Sequence, residues 1–134
     1  MKSYESMEGK EQALERAKQF LKSAEACWRE EALAGCALCC YAAMFWAAIA
    51  VLMHVGLTAR KKWKHGDVWQ LFGLEIVKKR QLVPERLGEW LEDAYDLRND
   101  AQYNLEAELS RKKVERTLRH AREFIAEIDK VIKR

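Results

Sequence analysis

Residues Ala32 to Met53, "ALAGCALCCYAAMFWAAIAVLM", run for 22 positions without a charge. Whether this stretch lies in a bilayer or inside a protein decides the fold. Its length meets the simplest criterion for a membrane span, which asks for about 20 apolar residues. Much of it, however, is Ala, Cys and Gly, and a helix apolar on every side is also what a bundle needs at its centre. The rest of the chain supplies the elements that would surround such a helix, so the reading is a buried central helix and not a span.

Those elements are amphipathic. Between residues 9 and 33, Leu14, Ala17, Leu21, Ala24 and Trp28 recur three or four apart and form one apolar stripe. Val114, Leu118, Ala121, Ile125, Ile128 and Ile132 do the same over 110–132, with Ser110 placed to cap the helix. "HGDVWQLFGLEIVKK" reads as a shorter helix from about Asp67, with Val68, Leu71, Phe72 and Ile76 inward. A fourth starts near Pro84, since proline is tolerated in a first turn. With little period-2 alternation and short links apart from Thr58–Lys64, the class is all-α, an up-and-down bundle of four to five helices. At 134 residues, 49% hydrophobic and with one proline, the chain suits a single domain spanning 1–134, residues 1–8 being a loosely ordered N-terminus.

The net charge of +3 is unevenly spread: Lys and Arg against Asp and Glu number 6 against 7 over 1–56, 7 against 2 over 57–80, 2 against 8 over 81–108, and 9 against 4 over 109–134. The first residues carry acids and no apolar run, unlike a secretory signal, so a cytoplasmic location is expected and no membrane association. Cys27, Cys36, Cys39 and Cys40 fall too close together for a dispersed disulfide framework and read as reduced thiols used in packing. They lack the second half of a zinc pattern, and His54, His65 and His120 pair with no other histidine at helical spacing, so neither a metal nor a cofactor is expected.

Two basic stretches suit a polyanion. "ARKKWKH", Ala59 to His65, interleaves Lys61, Lys62 and Lys64 with Trp63, cations for phosphates and an indole for stacking. Arg111, Lys112, Lys113, Arg116, Arg119 and Arg122 give the last helix a basic polar side. Both also suit a solvated surface.

The polar run "DLRNDAQYN", Asp96 to Asn104, interrupts a helix whose apolar stripe is Leu87, Trp90, Leu91, Ala94, Leu97 and Ala101. At 100° per residue Arg98 projects between the directions of Leu87 and Leu91, on the packed side. A charge there needs a partner, because an unpaired buried charge costs several kcal/mol in order of magnitude. Tyr95 and Gln102 share its side, while Asn99 and Tyr103 form a second pair further round. Two readings stay open: an ion pair with a carboxylate of another helix, or a guanidinium kept to grip phosphate or carboxylate through parallel hydrogen bonds.

"YAAMFWAAIAVLMHVGL", "HGDVWQLFGLEIVKK" and "LGEWLEDAYDLRNDAQY", in that order, resemble the HEPN domains, specifically their small stand-alone UPF0332-type branch. The resemblance runs from about Leu14 to the last helix. It implies an all-α bundle that forms a homodimer, with the arginine motif facing a cleft at the seam. It also implies a toxin–antitoxin setting with a small nucleotidyltransferase partner, and in many members metal-independent ribonuclease activity. Arg98 and Asn99 match the start of the nuclease motif, but Tyr103 stands where that motif has histidine.

Proton transfer near neutral pH favours histidine, with a pKa of about 6.5 against about 10 for tyrosine. The expectation is therefore binding of an RNA or nucleotide phosphate by Arg98, Tyr95, Gln102 and the basic segment Lys61–Lys64 ahead of catalysis by Arg98, Asn99, Tyr103 and His65. The remaining readings are a metal-independent endoribonuclease and a purely structural dimerisation module. Under the resemblance, Tyr103 is also a candidate acceptor of a nucleotidyl group.

Overall fold

A computed structural model describes residues 9–57 and 63–134. The described chain is all-α: α1 (Gly9–Arg29), α2 (Leu33–His54), α3 (His65–Leu71), a π-helical segment (Phe72–Lys79) that continues α3 directly, α4 (Arg86–Tyr103) and α5 (Arg111–Ile132). Residues 1–8 and the basic positions Lys61 and Lys62 lie outside the described residues.

The central helix is α2. It touches α1, α3, the π-helical segment, α4 and α5, and Cys36, Ala37, Cys40, Tyr41, Ala43, Met44 and the whole run Ala47–Leu52 are buried. Among the described residues α2 alone is long and apolar enough to cross a membrane; its best window has a mean hydropathy of 2.2, and 67% of that window is buried by protein. Hydropathy does not decide the matter; its neighbours do. The apolar residues of α1, α4 and α5 close on α2 as the periodicity predicts: Leu14, Ala17, Ala24, Leu87, Leu91, Ala94, Leu97, Val114, Leu118, Ala121, Ile125 and Ile128 are buried, and Leu21, Trp28, Trp90, Ala101 and Ile132 pack half-buried at the edges.

Contacts along the helices fix the alternating directions. Cys27 near the end of α1 meets Gly35 near the start of α2, and Gly9 meets Met53 at the other end. On the opposite flank α1 runs antiparallel to α5 through Lys18–Asp129 (3.5 Å), Glu25–Arg122 and Glu31–Arg111 (3.2 Å). Glu25 receives both Nε (2.6 Å) and Nη2 (2.5 Å) of Arg122. Arg111 and Arg122, read in the sequence as part of a basic polar side, are thus engaged with α1 and the turn that follows it.

Two boundaries differ from the sequence expectation. α1 stops at Arg29, not near residue 33, because Glu31 takes a left-handed conformation (φ 59°) and the Ala32 amide bonds back to the Cys27 carbonyl at 2.8 Å. The helix expected from Asp67 starts at His65 and widens after Leu71. A π turn aligns residues five apart, so Val77 comes under Phe72 and is buried along with Ile76, where an α-helix would turn it some 140° away. The first residues of α4 are led in by the Pro84 and Glu85 carbonyls, which accept from the Leu87 and Gly88 amides at 3.1 Å. Ser110 caps α5 as expected, its hydroxyl accepting from the Lys113 amide at 3.0 Å.

Candidate functional site

The helix packing gathers aromatic and basic side chains from positions far apart in the chain at one edge of α2. Tyr41, on α2 and 2% exposed, places its hydroxyl 2.7 Å from His65 Nδ1 at the start of α3. Trp69, one turn further along α3, donates its indole N–H to the same hydroxyl at 3.3 Å. Phe45 packs against His65 with ring centroids 4.9 Å apart, and Tyr95 of α4 closes the cluster against Tyr41 (5.4 Å), His65 (5.5 Å) and Trp69 (4.3 Å).

This chain of hydrogen bonds selects a tautomer. An indole N–H can only donate, so the tyrosine oxygen accepts from Trp69 and keeps its own hydrogen to give. With Tyr41 buried, His65 Nδ1 is the acceptor that satisfies that hydrogen, and the neutral ring then carries its proton on Nε2. Burial pushes the Tyr41 phenol up to about 12, so it remains a donor at neutral pH. Burial, and secondarily the positive charge of Arg98, hold His65 below its ordinary value and keep the ring neutral.

Arg98 stands half-buried on α4, one turn after Tyr95. Its guanidinium carbon lies 6.0 Å from the Tyr95 ring centroid and 5.8 Å from that of Tyr103, and Nη1 donates to Asn99 Oδ1 at 3.0 Å. Among the described residues no carboxylate forms an ion pair with it. Among the described residues the ion-pair reading left open by the sequence has no counterpart. Two aromatic faces and one amide oxygen hold the guanidinium in place without neutralising it.

Arg98, Gln102 and His65 line one cleft of about 340 Å³, whose other walls include Tyr41, Phe45 and Trp46. Of the residues singled out by sequence, the fold therefore brings Arg98, Gln102 and His65 into a shared space. Tyr95 supports both Arg98 and His65 from beneath. Asn99 orients Arg98, and Tyr103 lies beside it with 71% of its surface exposed. Trp63 and Lys64 are not walls of this cleft: Trp63 packs half-buried against the core, and Lys64 is the exposed residue preceding α3. Trp63 is engaged in packing, which removes the free indole expected of a stacking loop.

Tyr41, Phe45 and Trp69 carry no mark in the sequence: Tyr41 and Phe45 stand in the apolar run of α2, and Trp69 falls outside the inward set Val68, Leu71, Phe72 and Ile76. Only the convergence with His65 distinguishes Tyr41. The cysteines are packing residues in part: Cys36 and Cys40 are buried with their sulfurs 3.9 Å apart, while Cys39 reaches the cleft wall. Burial raises Cys39 above an ordinary thiol, which disfavours the reactive thiolate. Among the described residues no three His, Cys, Asp or Glu side chains converge as a set able to hold a metal ion.

The family model described as "HEPN domain" matches residues 11–131. No curated protein matches the sequence.

Proposed function

The chain belongs to the HEPN domain family, and from that premise we propose that it binds RNA or a nucleotide through a phosphate held by Arg98 in the cleft shared with His65 and Gln102. The observation that carries this reading is an arginine with no carboxylate partner among the described residues, fixed beside a neutral imidazole. A guanidinium provides paired donors suited to phosphate oxygens. The Tyr41–His65 bond adds to this, because it leaves His65 Nε2 as an N–H donor, the form that serves an anion. Titration of a single-stranded oligonucleotide at two salt concentrations tests it. Binding should weaken as salt rises, and Arg98→Ala should lose roughly tenfold or more, the loss of a charged hydrogen-bond donor. Equal affinity of the two proteins would overturn the proposal.

A metal-independent endoribonuclease is the second reading, favoured by His65 lying in the same cleft as Arg98. As a base, His65 would need its Nε2 free of hydrogen, which requires Nδ1–H to donate to Tyr41 and the buried phenol to lose its acceptor. That cost sets binding ahead of turnover. Incubation with RNA in the presence of a chelator, beside His65→Ala and Arg98→Ala, separates the two: cleavage abolished by both substitutions would establish the nuclease.

The wider setting proposed is a cytoplasmic homodimer of the UPF0332-type branch, paired as the toxin-like half with a small nucleotidyltransferase. The exposed hydroxyl-bearing side chain of Tyr103, beside Arg98, supports its candidacy as the modified residue. A small nucleotidyltransferase reading frame found beside this one would support the pairing, and its absence would count against it. Sedimentation at micromolar concentration tests the dimer, and a monomer would contradict it.

A further inference from the structure

A second hollow of about 450 Å³ adjoins the Arg98 cleft and is lined by Arg16, Gln19, Phe20, Ser23 and Trp46. Phe20 and Trp46 also line the Arg98 cleft, so the two hollows share a wall. Arg16, Gln19, Phe20 and Ser23 recur at spacings of three, one and three, one stripe of α1 lying about 130° around the helix from its core stripe. Among the described residues the polar side chains of Arg16, Gln19 and Ser23 make no hydrogen bond or ion pair. This sets Arg16 apart from Lys18 of the same helix, which is paired with Asp129 on α5. The contact Arg16 does make is with a ring: its guanidinium carbon stands 5.1 Å from the centroid of Trp46.

We propose that this hollow is a nucleobase subsite, so that the ligand is a single-stranded RNA segment of two or more nucleotides, with one phosphate at Arg98 and an adjoining base against Trp46 and Phe20. The inference rests on the phosphate reading of Arg98. Each wall has a matching role. Phe20 and the part of the Trp46 indole that Arg16 leaves uncovered offer stacking surface, which is tolerant of base identity. Gln19 carries a donor and an acceptor in one amide, the pattern that pairs with a base edge. Arg16 supplies positive charge for the next phosphate and, lying on the indole, is already oriented without being neutralised. Three of the five lining side chains are polar and make no hydrogen bond or ion pair among the described residues, which suits a nucleotide better than the apolar face of a second copy.

The test compares a uridine tetranucleotide with its abasic phosphodiester counterpart at one salt concentration, using the full chain and its Gln19→Ala, Trp46→Leu and Arg98→Ala variants. The unsubstituted protein should bind the base-bearing ligand about tenfold more tightly than the abasic one, the scale of stacking a single base. Gln19→Ala and Trp46→Leu should shrink that ratio towards one, and Arg98→Ala should weaken both ligands. Gln19 is exposed and outside the Arg98 cleft, so its substitution does not depend on core packing. A ratio near one in the unsubstituted protein, or a ratio untouched by Gln19→Ala and Trp46→Leu, overturns the subsite while Arg98-dependent binding leaves the phosphate reading standing. Absence of Arg98-dependent binding to either ligand overturns both. A Trp46→Leu protein that loses self-association but keeps the base preference assigns the hollow to a second copy and overturns the subsite.

Discussion

Tyr41 Oη and His65 Nδ1 stand 2.7 Å apart, joining the central helix to the first residue of α3 across 24 positions of sequence. The same hydroxyl accepts from Trp69, so one buried oxygen satisfies two side chains and fixes the imidazole's tautomer. Tyr41→Phe removes that oxygen and strands the donor of Trp69. The expected cost is about 1–3 kcal/mol, the penalty for leaving a buried polar group unpaired. Thermal unfolding should show a midpoint lowered by several degrees (roughly 3–5 °C per kcal/mol for a chain of this size), and a midpoint equal to that of the unsubstituted protein would show the bond to be dispensable.

Titration of His65 followed by NMR should give a midpoint below the ordinary value of about 6.5, because burial first and Arg98 second disfavour its cation. Arg98→Ala should raise the midpoint without restoring it fully. His120 is depressed as well, chiefly by burial and then by Arg116 and Arg119. For both rings the unfolded chain takes up protons at a higher pH than the folded one. Their contribution to stability is therefore complete above the unfolded midpoint and is lost as pH falls through the lower folded values. Denaturant unfolding at pH 7.5 and pH 5 should show lower stability at pH 5.

The core position of α2 predicts intolerance to larger apolar side chains. Ala47 is fully buried, so Ala47→Leu should overpack the bundle and cost about 1–3 kcal/mol. A lipid-facing alanine would accept leucine with no loss. Denaturant midpoints of the two proteins distinguish these outcomes.

Glu25 and Arg122 join α1 to α5 at the surface, and the hydrogen bond from Arg122 holds the Glu25 carboxyl below the ordinary carboxylate range. Since Arg122 is largely exposed, a double-mutant cycle with Glu25→Gln and Arg122→Gln should return no more than about 1 kcal/mol. The depressed carboxyl gives the sign of its pH dependence: the coupling is complete above the unfolded carboxylate midpoint and disappears as pH falls through the folded one.

Periodicity made the scaffold legible, since it depends on which residues of each helix are apolar, and those positions repeat locally. The buried residues of α1, α4 and α5 and the Ser110 cap are of this kind. The π-helical segment was hidden because both Ile76 and Val77 are apolar and an ordinary helix explains the first alone. Of the site, Arg98 was legible together with Tyr95 and Gln102 on the same side of its helix. Arg98 is conspicuous on an apolar stripe, whereas Tyr41 and Trp69 acquire chemistry from a contact that no local spacing encodes. His65 could be flagged beside its basic segment, but its place next to Arg98 follows from how α3 packs on α2 and α4.

The central claim is that phosphate is held where Arg98 and His65 meet. The direct measurement is the His65 midpoint by NMR with and without a saturating uridine dinucleotide. A bound phosphate places negative charge beside the ring and favours its cation, so the midpoint should rise in the unsubstituted protein and stay where it is in Arg98→Ala. A His65 midpoint that does not move while the dinucleotide is bound would place the ligand elsewhere and contradict the account.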